Sequence, residues 1–263
     1  MRERTPFTRA RLERLPDLRL LVTTGMRNAS IDLAADQERD ILVCGTGGVS
    51  SGTAELTWAL ILAVARHLPE EERSMREGGW QRTVGVDLAG RTLGVIGLGR
   101  QGGPVARIGR AFGMHVLAWS RHMTADRAAE HGAEAVDLDT LLARADIVTL
   151  HVPLGRSSRG LIGADELARM KPTALLVNTS RGPIVDEAAL LAALRDGSIA
   201  GAGIDVYETE PLPADHPLRS APNTVLTPHI GYVTQATFDV FYREAVEDIA
   251  AWCAGVPLRV LTG

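Results

Sequence analysis

The sequence predicts an α/β protein, a doubly wound parallel sheet joined to a second, smaller and incomplete domain. Three observations lead there. From residue 91 onward, short β-rich runs alternate with longer amphipathic ones, the order that builds a parallel sheet with crossover helices. The short runs are almost wholly apolar, as strands covered on both faces must be. One of them leads directly into a glycine-rich turn that opens a helix.

Taken in chain order, residues 18–23 read as a strand, 29–39 as a helix and 41–44 as another strand. Residues 53–77, "TAELTWALILAVARHLPEEERSMRE", read as one long helix, apolar early, charged late and closed by Gly78-Gly79. The block that follows places strands at 92–96, 115–119, 147–151, 174–178, 201–205 and 224–227. Helices fall between them at 101–112, 125–131, 138–144, 164–170 and 187–196. A second long helix, 235–254, is closed by Gly255 and Pro257. Two long helices flanking a complete α/β block suggest crossovers. Residues 53–236 would then be one domain, and 1–52 with 237–263 the other. That smaller domain has only two convincing strands, too few for a stable sheet by themselves. The apolar stripe of the 53–77 helix is either core or a contact between copies.

Composition narrows the function. The 263 residues carry 28 Lys+Arg against 32 Asp+Glu, 45% are hydrophobic and 23% charged, which excludes wholesale disorder. A net charge of −4 gives no basic face for nucleic acid. The longest apolar run, 58–65, is too short to span a bilayer. Cys44 and Cys253 stand alone, without the spacing of a zinc module or a disulfide scaffold. No metal and no membrane partner are expected, and a cytoplasmic location is.

"TLGVIGLGRQG" sets Gly97, Gly99 and Gly102 after an apolar strand and before a helix, the context a dinucleotide-binding Rossmann turn requires. Gly97 permits the tight turn, Gly99 lets backbone approach a diphosphate, and Gly102 lets helix and strand pack closely. Arg100 and Gln101 fill the turn between them. Residues 53–236 are therefore the dinucleotide-binding domain. The next strand, "HVLAW", ends in Ser120-Arg121-His122, where an acid would read the adenosine ribose and repel a 2′-phosphate. Serine followed by the Arg121 cation leans towards NADP over NAD, or tolerance of both.

Arg181 after "LLVNTS", Glu210 in "GIDVYETEPL" and His229 in "VLTPHIG" lie near the ends of later strands, where an open α/β sheet forms its ligand crevice. Chemistry in such a crevice can use a cation that pairs with an anionic group and a proton donor working near neutral pH. A guanidinium fork suits the first requirement and imidazole the second. These strings, with "GLGRQG", resemble the D-isomer-specific 2-hydroxyacid dehydrogenase family over essentially the whole chain, most strongly over 91–231. The resemblance implies an oxidoreductase that interconverts a small D-2-hydroxy acid and its 2-oxo acid with NAD or NADP. Arg181 would bind substrate, His229 would be the acid/base and lie against the cofactor, and Glu210 would orient it. By the same resemblance Asp205 contacts the carboxamide side of the nicotinamide, while Thr179 and the His151-Val152-Pro153 turn line the cofactor. Thr24, Gly25 and Met26 match a turn that offers backbone N–H groups to the substrate carboxylate. Arg4, before Arg2, matches an arginine that reaches the substrate, and Phe7 and Tyr232 are possible wall residues. His67, His115, His122, His131 and His216 have no matching partner.

The family also implies a homodimer and a flavodoxin-like substrate domain. Here that domain is expected to lack its first portion, on the order of 50–60 residues by usual element lengths. Gln101 replaces an apolar residue, and Gly155 a common threonine. The rival reading is a truncated, catalytically silent dinucleotide-binding module acting as a dimer partner or sensor.

Overall fold

A computed structural model describes residues 5–261. They pack into two units. One runs to Val49 and resumes at Tyr232; the other is Ser50–Gly231.

The first unit opens with a single turn of helix, α1 (Arg9–Leu12), then β1 (Leu20–Thr23), α2 (Leu33–Glu38) and β2 (Leu42–Gly45). β1 and β2 form a two-stranded parallel sheet, with Leu21 beside Val43 and Thr23 beside Gly45. α2 is shorter than the 29–39 that the sequence suggests. Asn28 Oδ1 takes the Ser30 N–H (3.0 Å), Ile31 bridges Phe7, and Asp32 caps the helix by accepting from Ala35 N–H at 3.0 Å. A local side-chain turn and a cap thus use the first four residues. Leu12, Leu21, Ile31, Ala35, Ile41 and Val43 make a small core.

The second unit begins with α3 (Ser51–Ala65) and α4 (Leu68–Arg76). The single 53–77 helix is therefore two. Pro69 cannot donate to the carbonyl four residues back and would crowd it. That carbonyl, of Ala65, accepts from Val86 N–H at 2.9 Å instead. His67 reverses the chain with φ 51°, and Pro69 stands in the first turn of α4.

β3 (Thr92–Ile96), α5 (Gly102–Ala111), β4 (His115–Trp119), α6 (Ala125–Ala129), β5 (Glu134–Ala135), α7 (Leu138–Arg144) and β6 (Ile147–Leu150) follow. Then come α8 (Ala164–Arg169), β7 (Leu175–Asn178), α9 (Glu187–Arg195), β8 (Gly201–Ile204) and β9 (Thr224–Leu226). All seven strands are parallel, in the order β5-β4-β3-β6-β7-β8-β9. Each face has its own core. α7, α8 and α9 bury Leu141, Leu142, Leu167, Leu190 and Leu194 on one, and α3 and α5 bury Trp58, Ile61, Val105 and Ala106 on the other. The sheet is doubly wound, as the apolar strands predict. The stripe of α3 is core, so it is not available as a contact between copies. β5 escapes the sequence because two half-exposed residues at a sheet edge carry no periodic signal.

The chain returns to the first unit with α10 (Gln235–Cys253), capped by Thr234. No helix among the described residues is long and apolar enough to cross a membrane.

Candidate active site

β4 and β6 flank β3 on opposite sides, and the chain order reverses there, which opens a crevice at the carboxyl ends of these strands. The glycine turn sits at that point. Gly97 has φ 99°, and its N–H is held by the Trp119 carbonyl at 2.8 Å. A β-carbon on Gly97 would come within 2.8 Å of the His151 backbone, and one on Gly102 within 2.0 Å of the Gly97 carbonyl oxygen. Around Gly99 there is nothing within 4 Å. The turn is closed wherever helix meets strand and open at Gly99, a cradle that fits a dinucleotide diphosphate. Gln101 Oε1 is buried in it without a partner among the described residues.

Ser120 follows β4, and the Arg121 guanidinium donates to the Ser157 carbonyl at 3.2 Å. At the end of β6, His151 Nε2 pairs with Thr149 Oγ1 at 2.9 Å. Burial pushes the His151 pKa down to about 4, so its ring is neutral at physiological pH. The following turn, Val152-Pro153, is tied to the end of β7 because Ser180 Oγ donates to the Val152 carbonyl at 2.6 Å.

β7 ends in a polar knot. Asn178 accepts from Ser180 N–H (3.0 Å) and donates to the Arg181 carbonyl (2.9 Å). Thr179 Oγ1 meets Thr57 Oγ1 of α3 at 2.8 Å, both buried. Arg181 is thus delivered on extended backbone (φ −147°, ψ 138°), with its guanidinium donating to the Ser180 carbonyl at 2.8 Å.

His229 Nδ1 and Glu210 Oε2 are 2.6 Å apart, with side chains only 17% and 18% exposed. Glu210 Oε1 accepts from Tyr207 N–H at 3.1 Å, so both carboxylate oxygens are engaged and Oε2 is aimed at the ring. Tyr207 is itself anchored, its hydroxyl donating to the Thr227 carbonyl at 2.9 Å. Burial, followed by the charges of Asp205 and Glu210, pushes that phenol up to about 12, which keeps it a proton donor in this contact. Asp205, after β8, is buried and accepts from Thr227 Oγ1 (2.6 Å), Ile230 N–H (2.8 Å) and Gly231 N–H (2.9 Å).

In the other unit, Gly25 has φ 86° and donates its N–H to Thr46 Oγ1 at 3.0 Å. Met26 beside it is 45% exposed, and Thr24 precedes it. Arg4, like Arg2, lies outside the described residues.

The description "D-isomer specific 2-hydroxyacid dehydrogenase, NAD binding domain" belongs to a family model that matches residues 58–231. The chain belongs to that family. The glyoxylate reductase of Aeropyrum pernix is 43% identical over 254 residues, 93% of this chain and 76% of its own. The D-3-phosphoglycerate dehydrogenase of Archaeoglobus fulgidus is 40% identical over 98% of this chain, which spans only 50% of that relative. A crystal structure of D-lactate dehydrogenase from Aquifex aeolicus, complexed with NAD and lactic acid, superposes with a TM-score of 0.83. It is 31% identical, with 97% of this chain and 82% of that one covered. The chain is therefore an NAD(P)-dependent oxidoreductase of this family, and the comparisons favour an enzyme over a silent module.

The dehydrogenase holds residues that the sequence did not single out. Asn178 and Ser180 carry the Arg181 loop, and Tyr207 carries Glu210. Their signal was available, since polar side chains close an all-apolar strand in "LLVNTS". His216 does have a partner, contrary to expectation: its Nε2 meets Glu187 Oε1 at 2.9 Å while Nδ1 accepts from Leu218 N–H at 3.3 Å. That pair clips the 216–220 turn to the start of α9.

Proposed function

We propose that this dehydrogenase transfers a hydride between NAD(P) and a small D-2-hydroxy acid/2-oxo acid pair, with Arg181, Glu210 and His229 as its working groups. The observation that carries the reading is the 2.6 Å contact of His229 Nδ1 with Glu210 Oε2. With Nδ1–H given to Glu210, the tautomer is set and Nε2 is the ring atom that exchanges a proton with substrate. When bound, NAD(P) would supply the hydride for reduction and accept it in oxidation. In reduction, Arg181 pairs with the carboxylate and polarises the 2-oxo group. His229 gives its Nε2 proton to the carbonyl oxygen, and Glu210 faces the ring throughout. In oxidation Nε2 takes the hydroxyl proton. Gly97, Gly99, Arg100, Gln101 and Gly102 would cradle the diphosphate, with Thr179 and His151-Val152-Pro153 along the cofactor. From the family resemblance alone, Thr24, Gly25 and Met26 would offer backbone N–H groups to a substrate carboxylate.

Mixing the purified chain with NADH or NADPH and glyoxylate, hydroxypyruvate or phenylpyruvate tests this. Absorbance loss that His229→Ala abolishes is expected; normal cofactor binding without turnover of any 2-oxo acid would reject it. Ser120 and Arg121 at the ribose end favour NADP. Ser120→Asp is expected to raise the NADPH KM about tenfold relative to NADH, the size of one desolvated charge contact. An unchanged ratio of the two KM values rejects the preference.

A further inference from the structure

The imidazole of His229 is carried on backbone that must be held in place. His229 has φ 56°, a conformation that a residue with a side chain keeps only where its surroundings over-determine it. Its own N–H reaches back to the Thr227 carbonyl at 3.0 Å. One carboxylate grips the chain on both sides of it. Asp205 Oδ1 accepts from Thr227 Oγ1 at 2.6 Å, two residues before the histidine, and from Ile230 N–H at 2.8 Å, one residue after it. Oδ2 accepts from Gly231 N–H at 2.9 Å. The Gly231 carbonyl in turn accepts from Thr53 Oγ1 of α3 at 3.2 Å. Asp205 is only 1% exposed.

The family resemblance places an acid at this position against the nicotinamide carboxamide. In this chain both oxygens are engaged by the segment that bears the imidazole. We propose that Asp205 is a positioning residue for His229: from the end of β8 it holds the 227–231 segment in its left-handed turn and keeps the ring on Glu210. This rests on reading His229 as the acid/base. Relaxing the turn would swing the ring without touching the cofactor cradle, so the chemical step suffers and cofactor affinity does not.

Thr227 tests this with Asp205 left in place. Thr227→Val removes one donor to the carboxylate, and Thr227→Ser returns the hydroxyl. For Thr227→Val, kcat is expected to fall about tenfold, the worth of one hydrogen bond to a charged group. The dissociation constants of NADH and NADPH, read by nicotinamide fluorescence, should stay within about twofold, because only the chemical step is affected. In the cofactor-free protein, the downfield Nδ1 proton resonance of His229 should broaden, and Thr227→Ser should restore both resonance and kcat. Asp205→Asn turns an acceptor into a donor facing an N–H, and is expected to lower kcat about 10²-fold, as a misplaced catalytic group does, again at constant cofactor affinity. Two outcomes overturn the proposal. One is a cofactor dissociation constant in Asp205→Asn that rises as far as kcat falls, with an intact resonance, which makes Asp205 a nicotinamide contact. The other is wild-type kcat and resonance in Thr227→Val. If Asp205→Asn does not fold, the Thr227 pair decides. Should the wild type reduce no 2-oxo acid, the proposed function fails while the resonance still decides the positioning role.

Discussion

At residue 182 the backbone leaves no room for a side chain. A β-carbon on Gly182 would lie 2.0 Å from the Tyr207 carbonyl carbon and 2.5 Å from the Glu208 nitrogen. Arg181 is the preceding residue, and the Tyr207 N–H is what holds Glu210. The close approach therefore joins the loop bearing the guanidinium to the loop bearing the carboxylate. Gly182→Ala must push them apart, so kcat/KM for the 2-oxo acid is expected to drop about 10²-fold. Stability should fall by about 1–3 kcal/mol, as overpacking does, while cofactor affinity is retained. Steady-state kinetics and thermal unfolding check both, and an alanine variant with wild-type kcat/KM would show the two loops to be independent. Residues of this kind were unevenly legible in the sequence. Gly97 and Gly102 could be read because their spacing follows from what strand, turn and helix need of one another. Gly182 could not, because its constraint comes from a backbone 25 positions away. The same holds for the Gly25 amide, whose acceptor Thr46 lies 21 residues on, and for His216, whose partner Glu187 stands at the start of α9.

At the scale of elements, the parallel strands were legible because burial on both faces writes them as uninterrupted apolar runs, as in Ile147–Leu150 and Leu175–Asn178. Helix ends were less so. The helix read over 53–77 ignores one proline, and the break two residues ahead of it decides where α3 stops and where the Ala65 carbonyl finds its donor. α2 loses its first turn to an Asx turn and an Asp32 cap, which sequence periodicity does not register. The candidate site follows the strands more than the helices. Each of these candidate side chains hangs from a loop just past a strand: His151 after β6, Arg181 after β7, Asp205 and Glu210 after β8, His229 after β9. Adjacent strands in the observed order set those loops side by side, and short polar contacts then lock them, Ser180 to Val152 and Tyr207 to Thr227. Chain order and apolar runs predict the row of loops. The locks depend on three-dimensional neighbours and had to come from the structure.

Two ionisable groups with displaced pKa values, one in each unit, give the whole molecule opposing responses to pH. Asp36 in α2 is 1% exposed, neither carboxylate oxygen has a partner among the described residues, and burial, with the charge of Asp32 behind it, pushes its pKa up to about 6. The folded form then holds the proton more tightly than the unfolded chain does. The stability associated with this group is fully present below the ordinary carboxylate pKa of 3.8 and is lost as pH rises through about 6. His151 works the other way. Its folded pKa of about 4 lies below the ordinary 6.5, so its contribution is complete above 6.5 and is lost as pH falls towards 4. Each is worth on the order of 1–2 kcal/mol once solvent screening is allowed for. Asp36→Asn should therefore raise Tm above wild type at pH 7, and the gap should close by pH 4. His151→Gln keeps a partner for Thr149, and its gap should open in the opposite direction, growing as pH falls from 6.5 to 4. Calorimetry of the wild type and both variants across this range measures the two gaps separately, and with two units more than one transition is to be fitted. Tm gaps of either variant that stay constant with pH would mean that the replaced group titrates alike in the folded and unfolded chain, and the opposition would then be lost.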